Sequence, residues 1–321
     1  MISYIQGINA ILAAEIAKLP SAVVYGENID NGSRISGMTK NLSVMNDGLI
    51  LNVGNCENTH AGVGFGLMMS GMNAIMFSKQ LEFILLSMDQ FVNTWAFAKC
   101  APMKKPIGSF SVVTILCDQG LQGPQSSYNG LLEICSAAKC LGYVVTNKKD
   151  ASRVLSAQLR EPGFKIICLS QRMWSMELSD PSLVAYGDDS SWFQYSKGND
   201  ATVICFNAAY LNGKALVDTL SKQGKTADFY SVNFVPEQDF SPLIASVMKT
   251  GTAVLIDDSK STVSNLDRFV TKLYGEVPKI RRLIIIRRES NPDTGVGKDT
   301  LEFDPEAVAI KCVEAGKNHS E

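Results

Sequence analysis

Glu57 is the residue of this sequence with the clearest potential for chemistry, because it stands alone before a long segment without charged side chains. No Asp, Glu, Lys or Arg occurs between Glu57 and Lys79, and the 18 residues 60–77 form an uncharged run. We expect a carboxyl group at the mouth of such a run to be desolvated, which favours its protonated form. Carboxyl groups of this kind are candidate proton donors in catalysis.

The uncharged run also has simpler explanations. Its length is at the lower limit for a membrane-spanning helix, but it contains four glycines and Asn73, and its pattern becomes β-like at 74–77. A buried helix followed by a buried strand therefore explains the run better. The carboxylate of Glu57 could then serve only as a favourable charge at the N-terminus of that helix.

The spacing of residues after Glu57 reproduces a family pattern. Gly66 and Gly71 lie nine and fourteen residues beyond Glu57, and Phe83 lies six residues before an Asp-Gln pair. This arrangement resembles the pyrimidine-binding domain of the transketolase superfamily of thiamine diphosphate enzymes. Within that superfamily, it most resembles the beta subunit of the decarboxylating component of 2-oxo acid dehydrogenases.

Other segments support the same resemblance. The opening YIQGINAILAAEIAKLPSAVVYGENI is similar to the family's first helix and strand, which end in a Gly-Glu pair, here Gly26 and Glu27. DQFVNTWAFAK looks like the family's helix after the Asp-Gln pair, and GSRISGMTKNL resembles its loop after the first strand. The resemblance continues more weakly to the C-terminus. It implies an α/β protein of two doubly wound domains, one pyrimidine-binding and one like the transketolase C-terminal domain.

The resemblance also implies roles for three residues. Thiamine diphosphate reacts as a carbanion, and it is activated when a carboxylic acid hydrogen-bonds N1′ of its aminopyrimidine ring. The resemblance assigns this acid to Glu57, stacking on the pyrimidine ring to Phe83, and a further cofactor contact to Glu27. Without the resemblance, ordinary core packing would be the better interpretation of Phe83.

The metal-binding motif of the family is missing. Family members hold the diphosphate through Mg²⁺, using a Gly-Asp-Gly motif and a downstream Asn in a separate domain. The nearest match here is Gly187-Asp188-Asp189, which lies in the segment expected to be a linker, with no strand predicted before it. Because Mg²⁺ needs fixed oxygen ligands, the resemblance implies that an alpha-type partner subunit holds the Mg²⁺ and the diphosphate. The expected assembly is a dimer of heterodimers, that is, a heterotetramer.

A family histidine that contacts the substrate is also missing. Family members carry it in a string like GPQHS…LE, whereas this chain has GPQSSYNGLLE. Depending on where the gap falls, Ser126 or Asn129 takes its position, and both side chains are neutral near pH 7. This loop either orients a carbonyl substrate by hydrogen bonds or is an ordinary Gly/Pro turn. His60 is not the motif histidine.

Three functions remain open. The first is a beta-type subunit of a two-chain thiamine diphosphate enzyme that cleaves or forms a C–C bond next to a carbonyl. The second is the C-terminal half of a split transketolase, for which the basic segment KIRRLIIIRR (279–288) offers cations, although its spacing is typical of a strand. The third is a non-catalytic interaction subunit of the same fold. Glu57 argues against the third function, and the missing histidine argues for it.

The composition narrows the class of protein. With 321 residues, 45% of them apolar and 19% charged, the chain is long enough for two domains with their own cores. A net charge of -2 gives no basic footprint for nucleic acid, and no export signal is visible, so we expect a cytoplasmic protein. The eight cysteines lie mostly in apolar strings, which favours free thiols. With two histidines and no CxxC pair, a protein-built zinc site is not expected.

The elements that must position these residues alternate between strand and helix. Such apolar strands, separated by helices, indicate parallel sheets covered on both faces. We expect a pyrimidine-binding domain at 1–172, a polar linker at 173–200 and a C-terminal-like domain at 201–321. The predicted strands are 22–26, 49–53, 74–77, 110–117, 143–146, 165–169, 201–206, 228–232, 252–257 and 282–286.

Overall fold

The chain forms two compact α/β units. The computed structural model describes residues 1–101, 107–120, 128–261, 264–277, 279–288 and 301–313. The first unit comprises Met1–Pro181 and Phe234–Pro236, and the second comprises Ser182–Asn233 and the described residues from Glu237 onward. Both units are built on a mostly parallel sheet with interleaved helices, which confirms the predicted α/β class.

Strands and helices alternate along the first unit, and each strand predicted there is present with small shifts at its ends. The strands are β1 Ala22–Gly26, β2 Leu49–Asn52, β3 Asn73–Phe77, β4 Ser109–Leu116, β5 Leu141–Val145 and β6 Gly163–Ser170. The helices are α1 Tyr4–Ile16, α2 Glu57–Met69, a 3-10 helix at Leu81–Ser87, a π-helical turn at Gln90–Thr94, α3 Trp95–Cys100, α4 Leu131–Ala138 and α5 Lys148–Gln158.

The first sheet has a reversal in its strand order. The order is β2-β1-β3-β4-β6-β5, and every neighbouring pair is parallel. The chain runs from β1 to β2 on one side and then crosses to β3 on the other side of β1. In doubly wound sheets, ligands bind outside the carboxyl ends of the strands at such a reversal. The topology therefore predicts a binding crevice where β1 and β3 end.

Helix α2 packs closely on this sheet. Its buried side carries Ala61, Gly64, Phe65 and Met68, and the ring of Phe65 lies edge-on to the ring of Phe110 on β4, with 5.0 Å between centroids. The uncharged run is thus a helix followed by the buried strand β3, as predicted, but the helix is buried on one side only. No helix in the described part of the chain is long and apolar enough to cross a membrane.

One strand of the first sheet departs from the expected burial. The sequence predicts strands covered on both faces, but β2 is an edge strand with one hydrogen-bonded neighbour. Leu49 and Leu51 on β2 are exposed, whereas all five residues of β1 are buried. The edge position does not explain this exposure by itself, because β5 at the other edge of the sheet is mostly buried.

The second unit carries the second sheet, in the order β12-β11-β9-β10-β8-β7. Strands β9 to β12 pair in parallel, and β8 and β7 add to the edge in antiparallel fashion. The strands are β7 Ala185–Tyr186, β8 Trp192–Ser196, β9 Ala201–Phe206, β10 Ala227–Val232, β11 Thr252–Asp257 and β12 Arg282–Arg287. The helices are α6 Tyr210–Lys222, α7 Ser241–Thr250, α8 Asn265–Glu276 and α9 Pro305–Val313.

The segment expected to be a linker, 173–200, differs from that expectation. It includes β7 and β8, which form a hairpin on the edge of the second sheet. The polar, turn-rich composition of the segment concealed the short WFQYS strand, in which Phe193 and Tyr195 are buried. The Tyr195 hydroxyl lies 2.9 Å from the Ser231 hydroxyl on β10. A hairpin stabilised by partners distant in sequence gives no strong local signal.

The cysteines match the expectation of free thiols. All eight are unpaired, and five of them are buried. Cys56 and Cys100 are exposed, and Cys312 is partly buried.

A pair of glycine substitutions tests the packing of α2. Gly64→Ala should destabilise the chain by about 1–3 kcal/mol, because the added Cβ would lie 2.3 Å from the Phe110 ring and 2.6 Å from the Tyr25 hydroxyl. Gly66→Ala is the matched control on the same helix, since no atom lies within 4 Å of its added Cβ. It should be neutral or stabilise by up to about 1 kcal/mol through helix propensity. Urea unfolding followed by circular dichroism measures both, and equal effects would contradict this packing.

Candidate functional site

Glu57 is the first residue of α2 and follows β2 by a short loop. The helix places it next to the reversal of the first sheet, where a ligand is expected. Glu57 is half-buried, so in this chain water still reaches it, and the full desolvation predicted from the uncharged run is not seen. The helix after Glu57 is covered on one face only, which explains the difference.

Phe83 lies on the 3-10 helix that follows β3, and a hydrogen bond ties this helix to the start of α2. The Ser87 hydroxyl donates to the Glu57 carbonyl oxygen at 2.7 Å. Phe83 is half-buried, whereas Leu81 and Ile84 beside it are fully buried. The structure therefore brings the segments of Glu57 and Phe83 together and leaves part of the Phe83 side chain open.

Glu27 follows β1 directly and is exposed. The side-chain amide nitrogen of Asn55 donates to both Glu27 carboxylate oxygens, at 3.1 and 2.5 Å, in the amide orientation that its partners require. Gly26 lets β1 approach β3, because a Cβ there would lie 2.4 Å from the Phe77 carbonyl oxygen. The hydrogen bonds from Asn55 hold the Glu27 carboxylate to the loop that leads into α2.

His60 joins the two carboxylates in one electrostatic group that the sequence did not predict. The Tyr25 hydroxyl donates to the His60 carbonyl oxygen at 2.8 Å, and the two rings meet edge-on at 6.2 Å. Burial lowers the pKa of His60, while the charges of Glu57 and Glu27 act in the opposite direction. The charges of Glu57 and Glu27 therefore act on His60, at the end of β1 and the start of α2.

The loop after β1 contains a left-handed turn. Arg34, Ile35 and Ser36 have φ near +50°, and Gly37 has φ of +96°. Left-handed residues with a Cβ cost about 1–2 kcal/mol each, so surrounding contacts must hold them. Ile35 is buried, and the Trp174 indole N–H donates to the Ser36 carbonyl oxygen at 3.1 Å. Such strain is concentrated at functional sites, and this loop begins beside Glu27.

The two predicted substrate residues have different outcomes. Ser126 lies outside the described residues. Asn129 is fully buried just before α4. The residue before it, Tyr128, donates its backbone N–H to a carboxylate oxygen of Glu82 at 2.8 Å. Glu82 is the neighbour of Phe83, so the Asn129 segment is connected to the 3-10 helix.

The residues present fit one half of a thiamine diphosphate site. The carboxyl group of Glu57 and the ring of Phe83, both partly exposed, are of the chemical types that the pyrimidine half would use. Within the described residues, no group of three or more His, Cys, Asp and Glu side chains is arranged to hold a metal ion. Gly187-Asp188-Asp189 lies in the β7–β8 hairpin turn, which the Ser190 N–H closes onto the Gly187 carbonyl oxygen. The expectation that no strand precedes these residues is wrong, because β7 ends at Tyr186, directly before Gly187.

Comparisons with known proteins confirm the resemblance predicted from sequence. The chain is 21% identical to the pyruvate dehydrogenase E1 component subunit beta of Staphylococcus epidermidis over 80% of this chain and 79% of that protein. The same subunit of Staphylococcus aureus is 20% identical over the same shares. No family model matches the chain.

Solved structures give the same fold. A split-gene transketolase, described as an inactive β4 tetramer, superposes with a TM-score of 0.71 at 14% identity, covering 97% of this chain and 98% of that one. The transketolase of Campylobacter jejuni superposes with a TM-score of 0.65 at 14% identity, covering 97% of this chain. This chain spans 44% of that transketolase.

The charges around His60 generate a prediction. Glu57→Gln and Glu27→Gln should each lower the pKa of His60 further, because each removes a negative charge that favours the imidazolium ion. The sequence has two histidines, so in a His319→Gln background proton NMR reports His60 alone. Glu177→Gln, at an exposed position of the same unit, is the control and should leave the titration unchanged. Unchanged titrations in both test variants would show that the three groups do not interact.

Proposed function

We propose that this chain is the beta-type subunit of a heteromeric thiamine diphosphate enzyme that cleaves or forms a C–C bond next to a carbonyl group. Its similarity to pyruvate dehydrogenase E1 beta subunits and to a split transketolase supports this function. Glu57 is the proposed acid at N1′ of the cofactor, and Phe83 is the proposed stacking partner. Glu27 is proposed as a further cofactor contact, and Asn129 and Ser126 are proposed on the substrate side.

One observation supports the proposal most strongly: the elements that carry Glu57 and Phe83 are held together at the point where the strand order of the first sheet reverses. The two residues lie on different elements, and the bond from the Ser87 hydroxyl to the Glu57 carbonyl oxygen holds these elements together. The bound cofactor would supply a carbanion equivalent, and the chain would supply the acid and one wall of the pyrimidine pocket. A dry pocket would strengthen the acid's hydrogen bond.

The other half of the site is proposed to come from an alpha-type subunit that holds Mg²⁺ and the diphosphate, in a dimer of heterodimers. Two neighbouring elements leave apolar groups exposed for such contacts: Val63 on α2 and Leu85 and Leu86 on the 3-10 helix. Exposed apolar groups next to a site favour protein contacts over solvent. A cytoplasmic location fits the free cysteines, because reducing compartments keep thiols unpaired.

A split transketolase that transfers a two-carbon ketol unit is the second candidate, favoured by the likeness to the split-gene transketolase. A phosphosugar substrate would require available cations. In the basic segment, Arg287 pairs with Asp267 at 3.1 Å, and the Arg281 guanidinium donates to Thr250 and Thr252. These arginines have partners within the second unit, although Arg287 is more than half exposed. A non-catalytic subunit remains the third alternative.

Cofactor binding tests the two-chain proposal. The purified chain should bind thiamine diphosphate with Mg²⁺ weakly, and adding the alpha-type partner should produce tight binding at a stoichiometry of one cofactor per pair of chains. Phe83→Ala should weaken the complex's retention of cofactor by about fivefold to tenfold, since an aromatic contact contributes about 1 kcal/mol beyond its area. Titration calorimetry measures both effects.

Tyr274→Ala is the control for Phe83→Ala, because Tyr274 is an exposed aromatic residue on α8 of the second unit. It should leave cofactor retention unchanged. Tight, Mg²⁺-dependent binding by this chain alone would refute the divided site.

A further inference from the structure

The connection between β4 and α4 is anchored at both of its described ends. At its start, the fully buried Asp118 accepts a hydrogen bond from the Ser170 hydroxyl at 2.5 Å and one from the Arg172 N–H at 2.9 Å. At its end, the Tyr128 N–H donates to Glu82 Oε1 at 2.8 Å. The first anchor joins β4 to the end of β6, and the second joins the connection to the 3-10 helix after β3.

Glu82 holds more than one partner. Its second carboxylate oxygen accepts a hydrogen bond from the Cys117 thiol, at 3.4 Å, just beyond the end of β4. One half-buried carboxylate therefore links the end of β4, the end of the connection and the segment that carries Phe83. These segments lie far apart in the sequence, so the side chain of Glu82 connects parts of the chain that the backbone alone would not hold together.

Tyr128 extends the link into α4. Its hydroxyl lies 2.6 Å from a Glu133 carboxylate oxygen and 3.0 Å from the Gly130 carbonyl oxygen. Burial raises the pKa of Tyr128, and Glu133 raises it further, so the phenol stays a neutral donor. The N–H of Tyr128 is bound to Glu82 and its hydroxyl to Glu133, so the backbone at Tyr128 is held at two points. These bonds restrict the position of the next residue, Asn129, which is fully buried.

The attachment of the 3-10 helix does not require the Glu82 carboxylate. Leu81 and Ile84 on the same helix are fully buried, and Ser87 binds the Glu57 carbonyl oxygen. These contacts hold the helix to the sheet and to α2. The Glu82 carboxylate adds a contact that fixes the Tyr128–Asn129 segment relative to the 3-10 helix. We therefore infer that Glu82 positions this segment rather than stabilises the fold.

We propose that Glu82 is a positioning residue that sets Asn129, on the substrate side, at a fixed distance from Phe83, on the cofactor side. This inference rests on the proposed function and deepens it. Glu82 acts through the backbone of Tyr128 and does not itself contact the carbonyl substrate. The Tyr128–Asn129 segment, on the proposed substrate side, would therefore be aligned with the proposed cofactor side by a single carboxylate that bridges the segments after β3 and β4.

The first test uses the chain alone. In Glu82→Ala, the Tyr128 amide proton should exchange with solvent about tenfold faster or more, because it loses its hydrogen-bond acceptor. Glu82→Gln retains a carbonyl acceptor and should exchange within about threefold of the parent chain. Lys79→Ala, at an exposed position just before the 3-10 helix, is the control and should leave the exchange unchanged. Amide exchange followed by NMR or mass spectrometry gives these rates, and thermal unfolding shows whether each variant folds.

The second test uses the complex with the alpha-type partner. Pyruvate and a ketose phosphate serve as probe substrates, and the one that is turned over is used. Glu82→Ala should raise KM about tenfold or more while the affinity for thiamine diphosphate stays within about twofold of the parent complex. Glu82→Gln should restore KM, because it restores the acceptor for the Tyr128 N–H.

Each outcome decides the proposal. Unchanged amide exchange in Glu82→Ala would overturn it, and so would faster exchange with an unchanged KM, which would make Glu82 a structural anchor only. Faster exchange together with a raised KM, restored by glutamine, would support it. A parent complex that binds no thiamine diphosphate would instead refute the proposed function, and this result is distinguishable because it appears before any substitution is made.

Discussion

The close approach of α2 to the first sheet is the constraint on which the candidate site depends. Gly64 has no side chain, so the helix can lie against the Phe110 ring and the Tyr25 hydroxyl, where a Cβ would clash. Because Glu57 is the first residue of this helix, its position is set by that contact. The hydrogen bond from Ser87 then places the 3-10 helix, and with it Phe83, relative to Glu57.

The same edge of the sheet gathers residues from several strands. Glu27 follows β1, Glu57 follows β2 by a short loop, Phe83 lies beyond β3, and Asn129 lies in the connection after β4. Parallel strands bring their carboxyl ends to one edge, so residues far apart in sequence become neighbours there. The hydrogen bonds from Asn55 to Glu27 and from Tyr128 to Glu82 hold these segments in fixed positions relative to one another.

The parallel strands of both units were predictable, because long apolar runs between helical segments mark buried parallel strands. The spacing of Glu57 and Phe83, which is like that of a known family, was enough to make those two residues candidates from the sequence alone. The contacts of His60 and Glu82 were not predictable, since their partners Tyr25 and Tyr128 lie 35 and 46 residues away in the sequence. The β7–β8 hairpin was missed for the same reason, because its pairing with β10 is also a long-range contact.

Proton exchange at C2 of thiamine diphosphate bound to the reconstituted complex tests the central claim most directly. Glu57→Gln keeps the size and hydrogen bonding of the side chain but cannot supply the acid proton. Exchange, followed by NMR after acid quench, should slow by about 10²- to 10⁴-fold, the usual contribution of acid–base catalysis. Exchange as fast as in the parent complex, with cofactor bound, would contradict the account and leave Glu57 a structural carboxylate.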